Sequence, residues 1–142
     1  MPLVAALDTS VVVAGIGWRG GDSRQVLRLL ARRAFLSVCT AELVEEWTAS
    51  VAHVAAEEKR WRNPNWAGWL LWLKRVSRVN TAVPLKRTVK RDPSDDVVLA
   101  AAVAGHASYL ITLDPDLLTL QKPFGVRCVT PRAFLSAVLR GV

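Results

Sequence analysis

Short apolar runs alternate with segments of helical periodicity along the chain. The pattern predicts strands at 3–7, 35–39, 78–83, 109–113 and 126–129. Between these runs, apolar residues recur every three or four positions, which is typical of helices with one buried face. Alternating strands and helices predict a parallel sheet with helices on both faces. We therefore expect an α/β fold with five strands and about six or seven helices.

Helix boundary signals support this pattern. Asp92, Asp114 and Thr130 each precede a proline, which is the sequence of an N-cap followed by proline at the first helical position. Gly105 and Gly141 are predicted to end helices. These signals predict that helices begin after Asp92, Asp114 and Thr130.

The size and composition fit one folded unit. The chain has 142 residues, of which 51% are hydrophobic, and we expect a single domain over residues 1–142. No apolar run approaches the length of a membrane span, and Asp8 interrupts the first one, so we predict a cytoplasmic protein without a cleaved signal or membrane partner. Cys39 and Cys128 lie in strand-like runs and are predicted to be buried thiols.

Basic and acidic residues are segregated along the chain. The net charge is +7, and ten basic residues with no acid lie between Lys59 and Arg91. Nine of the twelve acids fall instead in four clusters: Asp8; Glu42, Glu45 and Glu46; Asp92, Asp95 and Asp96; Asp114 and Asp116. The positive net charge suggests a polyanionic partner or an acidic protein partner.

Several basic side chains are candidates for RNA contact. Arg24, Arg28 and Arg32 have the spacing of one helix face, opposite Val26, Leu29 and Leu30. Such a stripe is compatible with a solvated face, but the neighbouring basic tract favours phosphate contact. The predicted RNA-binding residues are Arg24, Arg28, Lys86, Arg87, Lys90 and Arg91.

A tryptophan-rich tract allows two interpretations. Trp61, Trp66, Trp69 and Trp72 are interleaved with basic residues, and such a mixture can stack nucleobases. Helical spacing of Trp66 and Trp69 with Leu70, Leu73 and Val76 instead favours packing in the core or at a dimer face. Packing is the favoured interpretation, with Trp61 and Trp72 the candidates for the surface.

Two carboxylates are predicted to meet at one edge of the sheet. Asp8 follows the first strand and Asp114 follows the fourth. In open parallel sheets, ligands bind beyond the carboxyl ends of the strands, where the direction of the connections switches. If these strands are neighbours at that point, both carboxylates enter one crevice, beside the turn at 92–96.

The helix after Thr40 contributes a further acid. Its apolar stripe is predicted at Leu43, Trp47, Val51 and Val54. Rotation about the helix places Glu46 nearest the edge of this stripe, Glu42 next and Glu45 away from it. Glu46 is therefore the preferred candidate, and Glu42 the second.

Helix capping is the simpler explanation for several of these acids. It accounts individually for Asp92, Asp114, Asp116 and one of Asp95 or Asp96, but is not expected for Asp8. Crowded carboxylates raise one another's pKa and call for a cation. Without zinc-type Cys or His spacing, an all-oxygen site favours Mg²⁺ or Mn²⁺. A metal among acids in a basic protein fits phosphodiester hydrolysis.

The order of four blocks resembles the PIN-domain family of ribonucleases, especially the VapC-like toxins of toxin–antitoxin pairs. The blocks are LDTSVVVAGI, TAELVEEW, RDPSDDVVLAAAVAGHASYLITLDPDLL and VTPRAFLSAVL. The resemblance implies a three-layer α/β/α sandwich with a five-stranded parallel sheet. It also implies an endoribonuclease whose products carry 5′-phosphate and 3′-hydroxyl ends.

The resemblance further implies the site residues. The catalytic acids would be Asp8, Glu46, Asp95 and Asp114, with Asp8, Asp95, Asp114 and Asp116 as metal ligands. The DxxDD pattern favours Asp95 over Asp96. Supporting residues would be Glu42, Asp96, Thr9, Ser10 and Thr112. Thr9, Ser10 and Thr112 would bind phosphate or orient carboxylates, although they are also typical helix caps.

The implied partners are RNA, an antitoxin protein and a second copy of the chain in a homodimer. Two other functions remain open. A catalytically silent RNA- or partner-binding domain would fit Ser10, where the family commonly has Asn, and Leu113, where many relatives have Gly or Arg. An aspartyl phosphatase fits poorly, because that chemistry usually has an acid two residues after the first.

Overall fold

The fold is a parallel sheet flanked by helices. The computed structural model describes residues 3–82 and 93–140, with the backbone alone at 93–95. The strands in this part of the chain are β1 (Leu3–Leu7), β2 (Phe35–Cys39), β3 (Arg78–Val79), β4 (Tyr109–Ile111) and β5 (Arg127–Val129). All neighbouring strands pair in parallel, in the order β3-β2-β1-β4-β5. The predicted five-stranded parallel sheet is confirmed.

Seven α-helices connect or follow these strands within the described ranges. They are α1 (Thr9–Gly17), α2 (Asp22–Ala31), α3 (Ala41–Glu57), α4 (Trp66–Val76), α5 (Pro93–Ala104), α6 (Pro115–Thr119) and α7 (Pro131–Leu139). A 3₁₀ turn at Pro123–Gly125 precedes β5. No helix in these ranges is long and apolar enough to cross a membrane.

The centre of the sheet is buried on both faces. Ala5, Ala6 and Leu7 of β1 are all fully buried. Because successive strand residues point to opposite faces, helices must cover both sides of β1. This explains why β1 is a continuous apolar run rather than an alternating one.

β1 and β4 lie side by side at the centre of the sheet. The backbone N–H of Asp8 donates to the carbonyl of Ile111 at 3.0 Å, which extends the pairing of these strands by one residue. From β1 the chain runs outward through β2 to β3, then crosses back to β4 on the other side of β1 and continues to β5. The predicted switch point between the first and fourth strands is therefore present.

Some predicted strand ends differ from the observed ones. β3 has two residues, both exposed, whereas the sequence predicted 78–83; residue 83 lies outside the described residues. β4 ends at Ile111 rather than at residue 113, so Thr112 and Leu113 separate Asp114 from the strand. A short edge strand pairs on one side only, and apolar pattern alone does not set where that pairing stops.

The tryptophan-rich tract packs against the core as predicted, but Trp61 and Trp72, the predicted surface candidates, are half-buried. Leu70 and Leu73 of α4 are buried, and Trp61, Trp66, Trp69 and Trp72 are half-buried against the core. Val76, expected in the same stripe, is exposed. Cys39 and Cys128 are buried free thiols, and burial raises the pKa of each to about 11.

Candidate active site

Asp8 lies where β1 ends and α1 begins. Its side chain is only 6% exposed, and its Oδ1 accepts the backbone N–H of Thr9 at 2.9 Å. Asp8 is thus the N-cap of α1, contrary to the expectation that capping does not apply to this residue. The apolar run after Asp8 hid this role, because α1 is apolar on more than one side and lacks the usual polar first turn.

Two hydroxyl groups hold the other oxygen of Asp8. Thr112 Oγ1 donates to Asp8 Oδ2 at 2.6 Å, and Ser10 Oγ donates to the same oxygen at 2.9 Å. The same hydroxyls accept backbone N–H groups, Thr112 from Asp114 and Ser10 from Leu113. The 112–114 loop is therefore bonded to the start of α1 from both directions. Since a carboxylate oxygen has two lone pairs, the bonds from the described residues saturate Oδ2 and use one of the two lone pairs of Oδ1.

The pKa of Asp8 is raised from its ordinary value of 3.8. The largest cause is desolvation by burial, and the charge of Asp114 adds to it; hydrogen bonds from Thr112, Ser10 and Thr9 oppose the rise. In the described part of the chain, Asp8 makes no ion pair. The site therefore holds a desolvated carboxylate close enough to Asp114 to feel its negative charge.

Asp114 is the N-cap of α6. Its Oδ1 accepts the backbone N–H of Asp116 at 2.9 Å, and its carboxylate is half-buried. Asp116 is also half-buried in the first turn of the same helix. The predicted proximity of Asp8 and Asp114 across the switch point is found.

Glu46 reaches the site from α3. Thr9 Oγ1 donates to Glu46 Oε1 at 2.9 Å, which places Glu46 beside the residue that follows Asp8. The next residue, Trp47, is buried and donates its indole N–H to the carbonyl of Leu7 at 3.0 Å. This bond fixes α3 against the end of β1, and no local sequence signal predicts it.

The remaining predicted acids lie on α3 and α5. Glu42 and Glu45 are exposed on α3, and Asp96 is half-buried on α5. The side chain of Asp95 lies outside the described residues. Among the described side chains, no group of three or more His, Cys, Asp or Glu is arranged to hold a metal ion.

The prediction that Arg24 lies on an exposed face is wrong. Arg24 is 7% exposed, and its guanidinium donates to the carbonyls of Gly15 and Ile16 at the end of α1. It also lies over the Trp69 ring, 4.2 Å from the centroid. Arg28 is exposed. Lys86, Arg87, Lys90 and Arg91 lie outside the described residues.

Comparisons with known proteins agree with this architecture. A solved structure, the crystal structure of PAE2754 from Pyrobaculum aerophilum, superposes with a TM-score of 0.58 at 15% sequence identity. The match covers 97% of this chain and 90% of that one, and it shows a shared fold. A comparison with curated proteins found no match.

A family model described as the PIN domain matches residues 5–116. The match includes the end of β1, the switch point and the loop that carries Asp114, and it covers well over half of the chain. Proteins with this domain are generally nucleases, which typically use divalent metals. The chain therefore belongs to the PIN domain family.

Proposed function

We propose that this protein is a metal-dependent endoribonuclease and the toxin of a toxin–antitoxin pair. Its family membership supports nuclease chemistry. The observation that carries the proposal is the buried Asp8 carboxylate, held beside Asp114 at the switch point of the sheet. Such crevices are where α/β sheets bind their ligands.

The donor groups of this site suit a hard divalent cation. Asp8 and Asp114 offer carboxylate oxygens, which are ligands of Mg²⁺ and Mn²⁺. A cation bound there would offset the two effects that raise the Asp8 pKa, desolvation and the charge of Asp114. When bound, such a metal supplies a water of lowered pKa and neutralises charge on the phosphate.

The chain's own residues orient these groups. Ser10 and Thr112 fix the plane of the Asp8 carboxylate through Oδ2 and leave Oδ1 with a lone pair for a cation. Thr9 fixes Glu46 through Oε1, so that Glu46 can orient the attacking water. Asp95 is proposed as a further ligand on the resemblance of its motif.

Carboxamide substitutions test the catalytic part of the proposal. Asp8→Asn, Glu46→Gln and Asp114→Asn should each lower cleavage of single-stranded RNA in Mn²⁺ by about 100-fold or more. Glu45→Gln is the matched control, because Glu45 precedes Glu46 on α3 but is exposed. It should cleave RNA like the wild type.

A thermal shift with Mn²⁺ separates metal binding from catalysis. The wild type should gain Tm on adding Mn²⁺, because a ligand that binds only the folded state stabilises it. The Tm of Asp8→Asn should rise much less on adding Mn²⁺. Full RNA cleavage by Asp8→Asn and Asp114→Asn, or by the wild type in excess EDTA, would overturn the proposal. RNA binding without any Mn²⁺ shift would favour a catalytically silent domain.

The toxin part of the proposal concerns a protein partner. A net charge of +7 favours an acidic inhibitor that competes with RNA for the basic surface. An acidic protein encoded beside this one should therefore suppress cleavage when mixed with it in equal amounts. Unchanged cleavage in the presence of that protein would contradict this mode of inhibition.

A further inference from the structure

A cleft of about 390 Å³ adjoins the carboxylate site. Its walls include the apolar side chains of Trp18, Leu113 and Pro131, and its rim carries Asp22, Thr130 and Arg132. The volume lies within the range of small-ligand pockets, about 300–1,000 Å³. The cleft is thus large enough to hold a nucleobase between apolar walls.

Leu113 connects this cleft to the carboxylates. It lies between Thr112, which donates to Asp8, and Asp114, and its backbone N–H is bonded to Ser10 Oγ at 3.2 Å. The side chain of Leu113 is exposed and lines the cleft. A group in the cleft would therefore lie next to whatever the carboxylates hold.

Trp18 forms a supported aromatic wall. Its backbone N–H caps α1 by donating to the carbonyl of Ala14. Its half-buried ring contacts Trp61 edge-to-face, with centroids 5.6 Å apart and planes at 72°. Trp61 is fixed by an indole N–H bond to the carbonyl of Asn63 and by close packing on Gly17, where any Cβ would overlap its ring. Trp18 therefore needs little reordering to stack with a planar ligand.

The rim of the cleft has opposite charges. Arg132 Nε lies 3.4 Å from Asp22 Oδ2, with the side chains 83% and 46% exposed. An ion pair this exposed contributes little to folding, because water screens the attraction between its charges. Arg132 can consequently exchange Asp22 for a phosphate, whereas Asp22 opposes the approach of an anion.

We infer that this cleft is a nucleotide subsite for single-stranded RNA, in which one base stacks on Trp18 and its phosphate pairs with Arg132. The inference rests on the proposed nuclease function and adds the surface on which one nucleotide of the substrate is held. Bases in a duplex are stacked on each other and their faces are covered, so duplex RNA cannot use this subsite.

RNA binding in EDTA tests the subsite without cleavage. The probe is a fluorescent single-stranded RNA of about ten nucleotides, and the measurement is its anisotropy. Trp18→Ala should weaken binding about tenfold or more, since stacking contributes about 1–3 kcal/mol per base. Trp18→Phe, which keeps an aromatic face, should retain most of the affinity. Melting temperatures of both variants show whether they are folded.

Phe124→Ala is the matched control. Phe124 is an exposed aromatic in the turn before β5, at the opposite end of that strand from Thr130. Its removal should leave RNA affinity unchanged. A duplex of the same sequence should bind the wild type and Trp18→Ala equally.

Substitutions of Arg132 and Asp22 give a second test, because they should change RNA affinity in opposite directions. Arg132→Gln should weaken RNA binding, and Asp22→Asn should strengthen it by removing a negative charge from the rim. If the pair served only to join α2 and α7, both variants would lower the melting temperature and neither would change RNA affinity. That result would overturn the role of Arg132.

The outcomes distinguish the subsite from the function. If Trp18→Ala binds single-stranded RNA as tightly as the wild type, the subsite is wrong, while cleavage in Mn²⁺ still supports the nuclease. If the wild type binds no RNA in EDTA yet cleaves it in Mn²⁺, the subsite is again wrong. If it neither binds nor cleaves RNA, both proposals fail.

Discussion

Asp8 combines three roles in one residue. It ends β1, caps α1 and presents a carboxylate at the switch point. The first two roles require burial, which raises its pKa, and the third requires negative charge. The hydroxyls of Ser10 and Thr112 oppose the rise by donating to the ionised form. These two hydroxyls therefore stabilise the negative charge of a carboxylate that burial disfavours.

The raised pKa of Asp8 predicts a pH dependence of stability. A carboxylate whose folded pKa lies above 3.8 favours folding most when protonated, so its contribution is full below pH 3.8 and is lost as the pH rises through the folded pKa. Asp8→Asn removes this loss of stability, because the amide stays neutral at every pH. The amide can donate to the hydroxyls of Ser10 and Thr112, which rotate to accept. In EDTA, the free energy of unfolding in urea should therefore fall less for this variant above pH 3.8 than for the wild type.

Glu45→Gln is the control for this measurement, since Glu45 is exposed. It should follow the pH dependence of the wild type. Parallel curves for the wild type and Asp8→Asn across this pH range would show that Asp8 titrates normally in the folded state.

At the scale of elements, the rotation of α2 decides what its arginines do. The buried apolar residues of α2 are Val26, Leu27 and Leu30, not Val26, Leu29 and Leu30 as predicted from sequence. This rotation brings Arg24 against the end of α1, where its guanidinium satisfies carbonyls that the helix itself leaves unbonded. Arg24 therefore joins α1, α2 and Trp69 of α4.

Replacing Arg24 should destabilise the fold. Arg24→Leu removes the bonds to Gly15 and Ile16 and the contact with Trp69, and should lower the free energy of unfolding by about 2–4 kcal/mol. Arg28→Leu, one turn along on the exposed side, should change it by less than about 0.5 kcal/mol. Urea unfolding of both variants makes the comparison. Equal losses would contradict the structural role of Arg24.

At the scale of the whole molecule, the positive net charge contrasts with the acids at the switch point of the sheet. The chain carries +7 overall, yet Asp8 and Asp114 lie close together at one edge of the sheet, and Glu46 is bonded to Thr9 beside Asp8. Acids there repel RNA unless a cation reverses the local sign. Under the proposed function, basic residues elsewhere would supply the attraction that brings RNA to this edge.

This arrangement predicts a strong salt dependence of RNA affinity. Each phosphate neutralised on a single strand contributes about −0.7 to the slope of log affinity against log salt. We expect a slope of about −2 to −3 for the wild type in EDTA, equivalent to about four phosphate contacts. The measurement is RNA anisotropy over a range of NaCl concentrations, and a slope near zero would contradict it.

Much of the fold follows from local pattern. β1 and β2 have the predicted bounds, 3–7 and 35–39, because a central parallel strand is a continuous apolar run that needs no context to be recognised. Asp114 and Thr130 cap helices as predicted, since an N-cap followed by proline is a local signal. Asp8 and Asp114 are near each other because strand order follows from few topological rules.

Tertiary structure decided the directions of individual side chains. The hydroxyl bonds to Asp8, the burial of Arg24 and the wall formed by Trp18 all depend on how helices rotate and settle against their neighbours. A rotation of one residue, about 100° on a helix, exchanges buried and exposed positions without changing the sequence pattern much. The sequence by itself thus determined the sheet, the helix starts after Asp114 and Thr130, and the acids that follow the central strands. Packing determined which side chains meet there, because that choice depends on contacts between segments distant in the chain.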